Sequence, residues 1–227
     1  MSYIVGTGYF QRDPNAGAEE FYKIWWRNTM KYSKPSRIIV VAAGGHHVSP
    51  RTMRECPADW IHLDGDLGHI HHLTGNLKPF EFSGFTMTLL TLCLLAYQDE
   101  CDLVFKEQDC LAFGPYVETM YSEMGDAQMT FGAGKLMPVF QSLMLIKHWF
   151  LPHFVYRYLG CGSERDKANE GEQKHKRMMD LEPHYFKPFN FGFDRDRPLD
   201  ITLPVFYAQQ LSGDELTQLR NAGLLDL

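Results

Sequence analysis

The sequence lacks any excess of basic residues. Its 227 residues include 22 lysines and arginines against 28 aspartates and glutamates, which gives a net charge of −6, and its basic residues are scattered apart from a short cluster at 174–177. Proteins that bind duplex nucleic acid present concentrated positive charge to the phosphate backbone. We therefore expect no nucleic-acid partner.

Paired cysteines, long apolar runs and an amino-terminal leader are also missing. The five cysteines are odd in number and have no CxxC spacing, which disfavours both a disulfide framework and a zinc ribbon. No stretch is continuously apolar over the length of a membrane helix, and residues 1–10 resemble no signal peptide. These absences predict a cytoplasmic protein with no membrane span.

Strand-like apolar runs and helix-like spacing alternate along the first half of the chain. A helix is predicted at 85–97, capped by Ser83 and buried because it is apolar nearly all round. The alternation predicts an α/β fold in one domain, with a mostly parallel central sheet flanked by helices and ligands at the carboxyl ends of the strands. The other predicted helix spans 18–32, and the predicted strands span 3–5, 37–43, 60–63, 103–105 and, more weakly, 129–131.

Four further segments complete the pattern. Gly6 to Gly8 predicts a tight turn after the first strand, and residues 137–159 have the spacing of an aromatic-rich helix. Residues 186–198 are dense in aromatics, proline and glycine, which predicts irregular structure. Residues 212–223 predict a helix with a capping box.

The strand predicted at 103–105 ends in two carboxylates, Glu107 and Asp109, one residue apart. Side chains at that spacing leave a strand on the same side, while the residue between them points elsewhere. Hard oxygen ligands suit Mg²⁺ or Mn²⁺, which take their remaining ligands from water and substrate phosphates. The pair therefore predicts a metal-diphosphate site.

A second acidic motif competes for this role. Asp64 and Asp66 flank a glycine and form a literal D-x-D after the strand predicted at 60–63. The stronger apolar run precedes Glu107 and Asp109, which favours the later pair as the principal metal site. Asp64 and Asp66 are then expected to bind the ribose or the base edge, or to form a solvated turn.

The order strand, helix, strand, acidic loop, buried helix and a strand ending in a D-x-D-type pair resembles the GT-A-fold glycosyltransferases, which use nucleotide-diphospho sugars. Residues 60–114 resemble the nucleotide half of that fold, and the small size resembles the glycosyltransferases of chlorella viruses. The resemblance covers residues 1–145 at the level of pattern. It implies a nucleotide-sugar half at 1–125 and an acceptor half at 126–227.

In that family the acidic pair holds Mn²⁺ or Mg²⁺ against the donor diphosphate, and the last aspartate is commonly the direct ligand. The resemblance gives this catalytic role to Asp109, with Glu107 in place of the first aspartate. Family frequency implies a UDP-sugar donor. Some retaining members place a glutamine under the sugar, which suggests the same for Gln141.

Other candidates come from local chemistry. A turn containing Thr7 and Gly8 would let a nucleobase approach the backbone, and a loop at the strand edge would present His69 to a diphosphate. Arg195 and Arg197 can make bidentate contacts to phosphate, with pairing to the neighbouring aspartates as the alternative.

An acceptor hydroxyl requires a general base in an inverting enzyme. Glu172 is one candidate, and Glu118, Asp126 and Glu170 are the others. Residues 160–171 are polar and contain glycines, which predicts a loop that could act as a lid.

Together these features predict a metal-dependent glycosyltransferase that moves a sugar from a nucleotide-diphospho donor to a hydroxyl of a glycan or small-molecule acceptor. A sugar-phosphate nucleotidyltransferase is one alternative, but residues 6–10 lack the basic glycine-rich phosphate loop it would need. A non-catalytic carbohydrate-binding protein is another, and it would not need the acidic pair.

Overall fold

A computed structural model describes residues 2–10, 17–43, 48–64, 82–133, 140–162 and 171–225. Ten strands and seven helices lie within that part of the chain. The strands are β1 (Tyr3–Tyr9), β2 (Arg37–Ala43), β3 (Asp59–Leu63), β4 (Asp102–Lys106), β5 (Cys110–Phe113), β6 (Met129–Gly132), β7 (Phe140–Ile146), β8 (Phe186–Phe189), β9 (Gly192–Asp194) and β10 (Phe206–Gln209). The helices are α1 (Ala18–Tyr32), α2 (Pro50–Glu55), α3 (Gly84–Gln98), α4 (Tyr116–Met124), α5 (Leu151–Gly160), α6 (Gly171–Leu181) and α7 (Gly213–Asn221).

A seven-stranded sheet in the order β3-β2-β1-β4-β7-β6-β8 forms the centre of the molecule. Its strands are parallel except for β7, which runs antiparallel to both β4 and β6. A smaller sheet in the order β5-β10-β9 lies beside it. The mostly parallel α/β sheet with flanking helices predicted from the sequence is confirmed.

Two hydrophobic cores cover the two faces of the central sheet. One contains α1, α4, α7 and the small sheet, and the other contains α3, α5 and α6. Helix α3 begins at the predicted cap, where the Thr86 N–H donates to Ser83 Oγ at 3.3 Å. Its burial is only partial, because Leu94 and Tyr97 are exposed on its outer side.

The predicted turn at residues 6–8 is wrong. Strand β1 continues to Tyr9, and the glycines in it allow α3 to pack closely. A Cβ on Gly6 would lie 2.6 Å from a methyl carbon of Leu92, and one on Gly8 would lie 3.3 Å from Thr88. Glycine is therefore required here by packing rather than by backbone conformation.

Two other segments differ from their predictions. The helix expected at 137–159 is instead strand β7, followed by a short 3-10 turn (His148–Phe150) and then α5. Strand β7 pairs with β4 and β6 on both sides, and this pairing outweighs the helix propensity of its leucine and methionine. The segment expected to be irregular contains β8, whose partner β6 is distant in sequence, and β9, which pairs with the nearby β10.

The carboxy-terminal helix is confirmed. Ser212 Oγ accepts from the Glu215 N–H at 3.2 Å, and Glu215 Oε2 accepts from the Ser212 N–H at 2.8 Å, which completes a capping box. Among the helices that the structure describes, none has the length and apolar character needed to cross a bilayer.

Candidate functional site

The acidic loop follows the central strand of the sheet. Strand β4 lies between β1 and β7, and residues 107–109 connect it to β5. The Glu107 N–H donates to the Ser142 carbonyl at 2.8 Å, and the Cys110 N–H donates to the Glu107 carbonyl at 3.0 Å. These bonds fix both ends of the loop at the carboxyl edge of the parallel strands, where ligands bind in open α/β sheets.

Side chains along this loop alternate in direction. The Gln209 amide nitrogen donates to Glu107 Oε2 and to Asp109 Oδ1, the latter at 2.7 Å. Gln108 between them contacts another element: its Oε1 accepts from the Phe10 N–H at 2.7 Å. The two carboxylates therefore converge on one side, and Gln108 ties the loop to the end of β1.

Gln209 was not predicted from the sequence. It is the last residue of β10, stands opposite Cys110 in the antiparallel ladder, and is almost completely buried. No local motif marks it, since it lies 100 residues beyond Asp109. Only the pairing of β10 with β5 brings it to the acidic pair.

Opposing effects act on the negative charge of Asp109. Burial raises the pKa of Asp109 above its ordinary value, while the hydrogen bond from Gln209 and the positive charge of Arg195 act to lower it. Convergent carboxylate oxygens are the donors that Mn²⁺ and Mg²⁺ prefer, so the pair fits a hard divalent cation. Within the described residues, no group of three or more His, Cys, Asp or Glu side chains is placed to hold a metal ion.

A buried lysine, the last residue of β4, lies directly before the acidic loop. Lys106 is fully buried, and its Nζ donates to Asn28 Oδ1 at 2.6 Å and to Thr29 Oγ1 at 2.9 Å. Asn28 Oδ1 also accepts from the Ala112 N–H at 3.0 Å, so one α1 side chain contacts both strands that flank the loop. Burial lowers the pKa of Lys106 to about 7.

The two predicted phosphate-binding arginines are placed differently. Arg195 follows β9 and is exposed, and its positive charge acts to lower the pKa of Asp109. Arg197 forms an ion pair with Glu215 and donates to the Gln209 carbonyl at 3.1 Å. Arg195 is therefore within electrostatic range of Asp109, whereas the contacts of Arg197 hold the end of β10.

Several predicted nucleotide-binding residues lie elsewhere or outside the described part. Thr7 is fully buried within β1, and Gly8 packs against α3, so the strand gives neither of them an open surface. Asp64 is exposed directly after β3, three strand spacings from β4, roughly 14 Å away. Asp66 and His69 lie outside the described residues.

Gln141 and Glu172 approach the same sheet edge from β7 and α6. Gln141 precedes Ser142, whose carbonyl accepts from the acidic loop, and a Cβ on Gly171 would lie 2.1 Å from Gln141 Oε1. The amino terminus of α6 therefore packs directly on Gln141, and Glu172 is the next residue, half-buried. The Gln141 Oε1 atom is buried and has no hydrogen-bond partner in the described part of the chain.

No protein-family model matches the chain, and no curated protein sequence matches it. Solved structures do match it. The glycosyltransferase GlyE of Streptococcus pneumoniae has a TM-score of 0.58 at 11% identity, over 95% of this chain and 56% of GlyE, so the chain spans little more than half of that protein. An active-site mutant of LgtC, a galactosyltransferase, has a TM-score of 0.56 at 13% identity, over 100% of this chain and 97% of LgtC.

The chain has a GT-A-like fold. At these identities the likeness shows the fold alone. The same fold also relates the chain to CMP:2-keto-3-deoxy-manno-octonic acid synthetase, a nucleotidyltransferase, with a TM-score of 0.50 at 9% identity over 97% of this chain and 96% of the synthetase. The narrower resemblance to the small chlorella-virus enzymes stays a prediction.

Proposed function

We propose that the chain is a metal-dependent glycosyltransferase that moves a sugar from a nucleotide-diphospho donor, with UDP as the nucleotide, to a hydroxyl of a glycan or small-molecule acceptor. One observation carries the proposal. In a GT-A-like fold, Glu107 and Asp109 follow the central strand β4 and converge on one side of its carboxyl edge. Nucleotide ligands of open α/β sheets bind at that edge.

Glu107 and Asp109 are the residues that would hold Mn²⁺ or Mg²⁺. When bound, such a cation supplies charge neutralisation to a diphosphate leaving group. Gln108 keeps the loop in register with β1 through Phe10, so the direction of the two carboxylates is fixed before any ligand arrives. Arg195 adds a positive charge that acts on Asp109, and its guanidinium is our candidate contact to a phosphate oxygen.

The remaining roles are assigned by position. Glu172, next to Gln141 at the sheet edge, is our candidate for the base that takes the acceptor proton, and Gln141 is the candidate contact to the sugar. Asp64, Asp66 and His69 are kept as donor contacts. The lid predicted at 160–171, which would exclude water and so limit donor hydrolysis, stays a prediction, because residues 163–170 lie outside the described part of the chain.

Calorimetry of UDP binding with and without Mn²⁺ tests the proposal. We expect Mn²⁺ to strengthen UDP binding in the native chain and to have no such effect in Asp109→Asn, which loses one carboxylate charge. Asp180→Asn is the matched control, because Asp180 is exposed on α6. Metal-independent UDP binding in the native chain would contradict the proposal.

A nucleotidyltransferase is the second candidate, favoured by the likeness to the synthetase. Residues 6–10 lie within or directly after β1 and contain no lysine, which argues against a basic phosphate loop there. The products separate the two reactions, because a glycosyltransferase releases nucleoside diphosphate whereas a nucleotidyltransferase releases pyrophosphate. Release of pyrophosphate from a nucleoside triphosphate and a sugar phosphate would favour the second candidate.

We infer a cytoplasmic location from the cysteines. All five lie within the described part of the chain as buried free thiols, the form that a reducing compartment maintains. Fractionation of the native host cell, followed by detection of the chain, would test this.

A further inference from the structure

We propose that Gln209 is the third protein ligand of the metal site and that it binds the cation through its side-chain oxygen, Oε1. The inference rests on the proposed function, because it assigns a residue to the same metal site. It extends that function by naming a ligand from β10, outside the acidic loop.

The first step is the placement of Gln209. Its amide nitrogen lies within hydrogen-bond distance of both carboxylates, so its side chain ends at the point on which Glu107 and Asp109 converge. A cation held by both carboxylates would therefore be adjacent to this amide.

The second step is the rigidity of that placement. Gln209 faces Cys110 in the β5-β10 ladder, and Cys110 directly follows Asp109. The Gln209 carbonyl accepts from the Arg197 guanidinium at 3.1 Å, and the same guanidinium pairs with Glu215 at the start of α7. The backbone of Gln209 is thus fixed on both sides. Only its side chain has to rotate for Oε1 to face the cation.

The third step is the chemistry of the amide. A glutamine side chain carries two N–H donors and one acceptor oxygen, and a half-turn of its last torsion exchanges them with almost no change in shape. The negative charge of two carboxylates attracts the N–H side, which is the arrangement found here. A divalent cation reverses the local charge and attracts the oxygen instead. Amide oxygens are ordinary ligands of hard cations.

A different role for Gln209 predicts a different pattern among variants. If the amide only orients the carboxylates by donating hydrogen bonds to them, every variant that lacks the N–H donors should bind the cation more weakly, Gln209→Glu included. If Oε1 is a ligand, the apolar variants lose affinity and Gln209→Glu, which keeps an oxygen, retains it.

The experiment is a titration of the full chain with Mn²⁺ alone, in which electron paramagnetic resonance measures the free ion and no nucleotide is present. Gln209→Met and Gln209→Leu replace the amide with apolar side chains, and Gln209→Glu supplies a carboxylate oxygen at the same place. Gln218→Met, on the exposed side of α7, is the control for the substitution itself. Melting curves establish that each variant is folded.

We expect Gln209→Met and Gln209→Leu each to weaken Mn²⁺ binding by about tenfold or more, since loss of even an outer-shell partner of a metal site typically costs about 10–100-fold in affinity. Gln209→Glu should bind Mn²⁺ at least as tightly as the native chain, and Gln218→Met should equal it. Native or tighter binding by the folded apolar variants, or binding by Gln209→Glu as weak as theirs, would overturn the inference while leaving the proposed function intact. A native chain that does not bind Mn²⁺, or an Asp109→Asn variant that binds it like the native chain, would overturn both.

Discussion

The buried network below the acidic loop allows a quantitative prediction about Asn28→Ala. In the native chain the contacts of Lys106 within the described part are neutral groups: the oxygens of Asn28 and Thr29 and the ring faces of Trp25 and Tyr116. Asn28 Oδ1 serves two buried donors, the Lys106 ammonium and the Ala112 N–H. Its removal therefore leaves both of them short of an acceptor.

The expected cost follows from these two bonds. A hydrogen bond to a charged group contributes about 1.5–3 kcal/mol, and a buried donor without a partner costs about 1–3 kcal/mol. Asn28→Ala should therefore lower the free energy of unfolding by about 3–5 kcal/mol. Lys106→Met should change it by only about 1 kcal/mol, because it removes the charge together with its need for partners. Thr29 Oγ1 still donates to the Trp25 carbonyl in that variant.

Equilibrium denaturation at pH 6.0, below the Lys106 pKa of about 7, measures these differences with the ammonium charged. In the Lys106→Met background, Asn28→Ala should cost only about 1–3 kcal/mol, because the Ala112 N–H is then the one donor affected. If Lys106→Met destabilises the chain as much as Asn28→Ala does, or if the two costs simply add, the reasoning is refuted.

Two further predictions concern stability. Burial lowers the pKa of His175 to about 4, against an ordinary value of 6.5, so its stabilising contribution is complete above pH 6.5 and is lost as the pH falls toward 4. Denaturation at pH 7 and pH 4.5 should show a loss of about 2 kcal/mol that is absent in His175→Phe, and equal losses in both proteins would contradict the prediction. Gly192→Ala should lower stability by about 3 kcal/mol, because its Cβ would lie 1.6 Å from the buried ring of Tyr207. Gly213→Ala is the control, because nothing lies within 4 Å of the added Cβ, and it should leave the melting temperature nearly unchanged. Similar melting temperatures for the two variants would contradict the prediction and show that β9 moves to make room for the methyl group.

Local patterns predicted those elements whose stability is decided locally. Helix α1 has the predicted bounds, Ala18–Tyr32, and the caps at Ser83 and Ser212 lie where their side chains can accept from the first turn. Strand β2 was predicted from its continuous apolar run, as expected for a strand covered on both faces. In each case neighbouring residues determine the outcome.

Patterns failed where a distant partner determines the structure. The glycines of β1 predicted a turn, but their small size instead accommodates Leu92 and Thr88 of α3, 80 or more residues away along the sequence. The leucine and methionine of β7 predicted a helix, but the strand fills the space between β4 and β6. Local residue spacing predicts neither the packing of α3 on β1 nor the pairing of β7 with β4 and β6.

Some residues of the candidate site are determined by local sequence and others by distant strand pairing. Glu107 and Asp109 could be located from sequence because a strand end and alternating side chains are local features, and the structure does bring the pair together. Gln209 could not be located, because β10 is a four-residue strand whose place is set by pairing with β5. Strand β5 pairs with β10 and donates its Ala112 N–H to Asn28 of α1, so that it joins three segments of the chain around one loop. A loop fixed from several sides holds its two carboxylates in one place, and a cation binds most readily where the surrounding structure has already ordered its ligands.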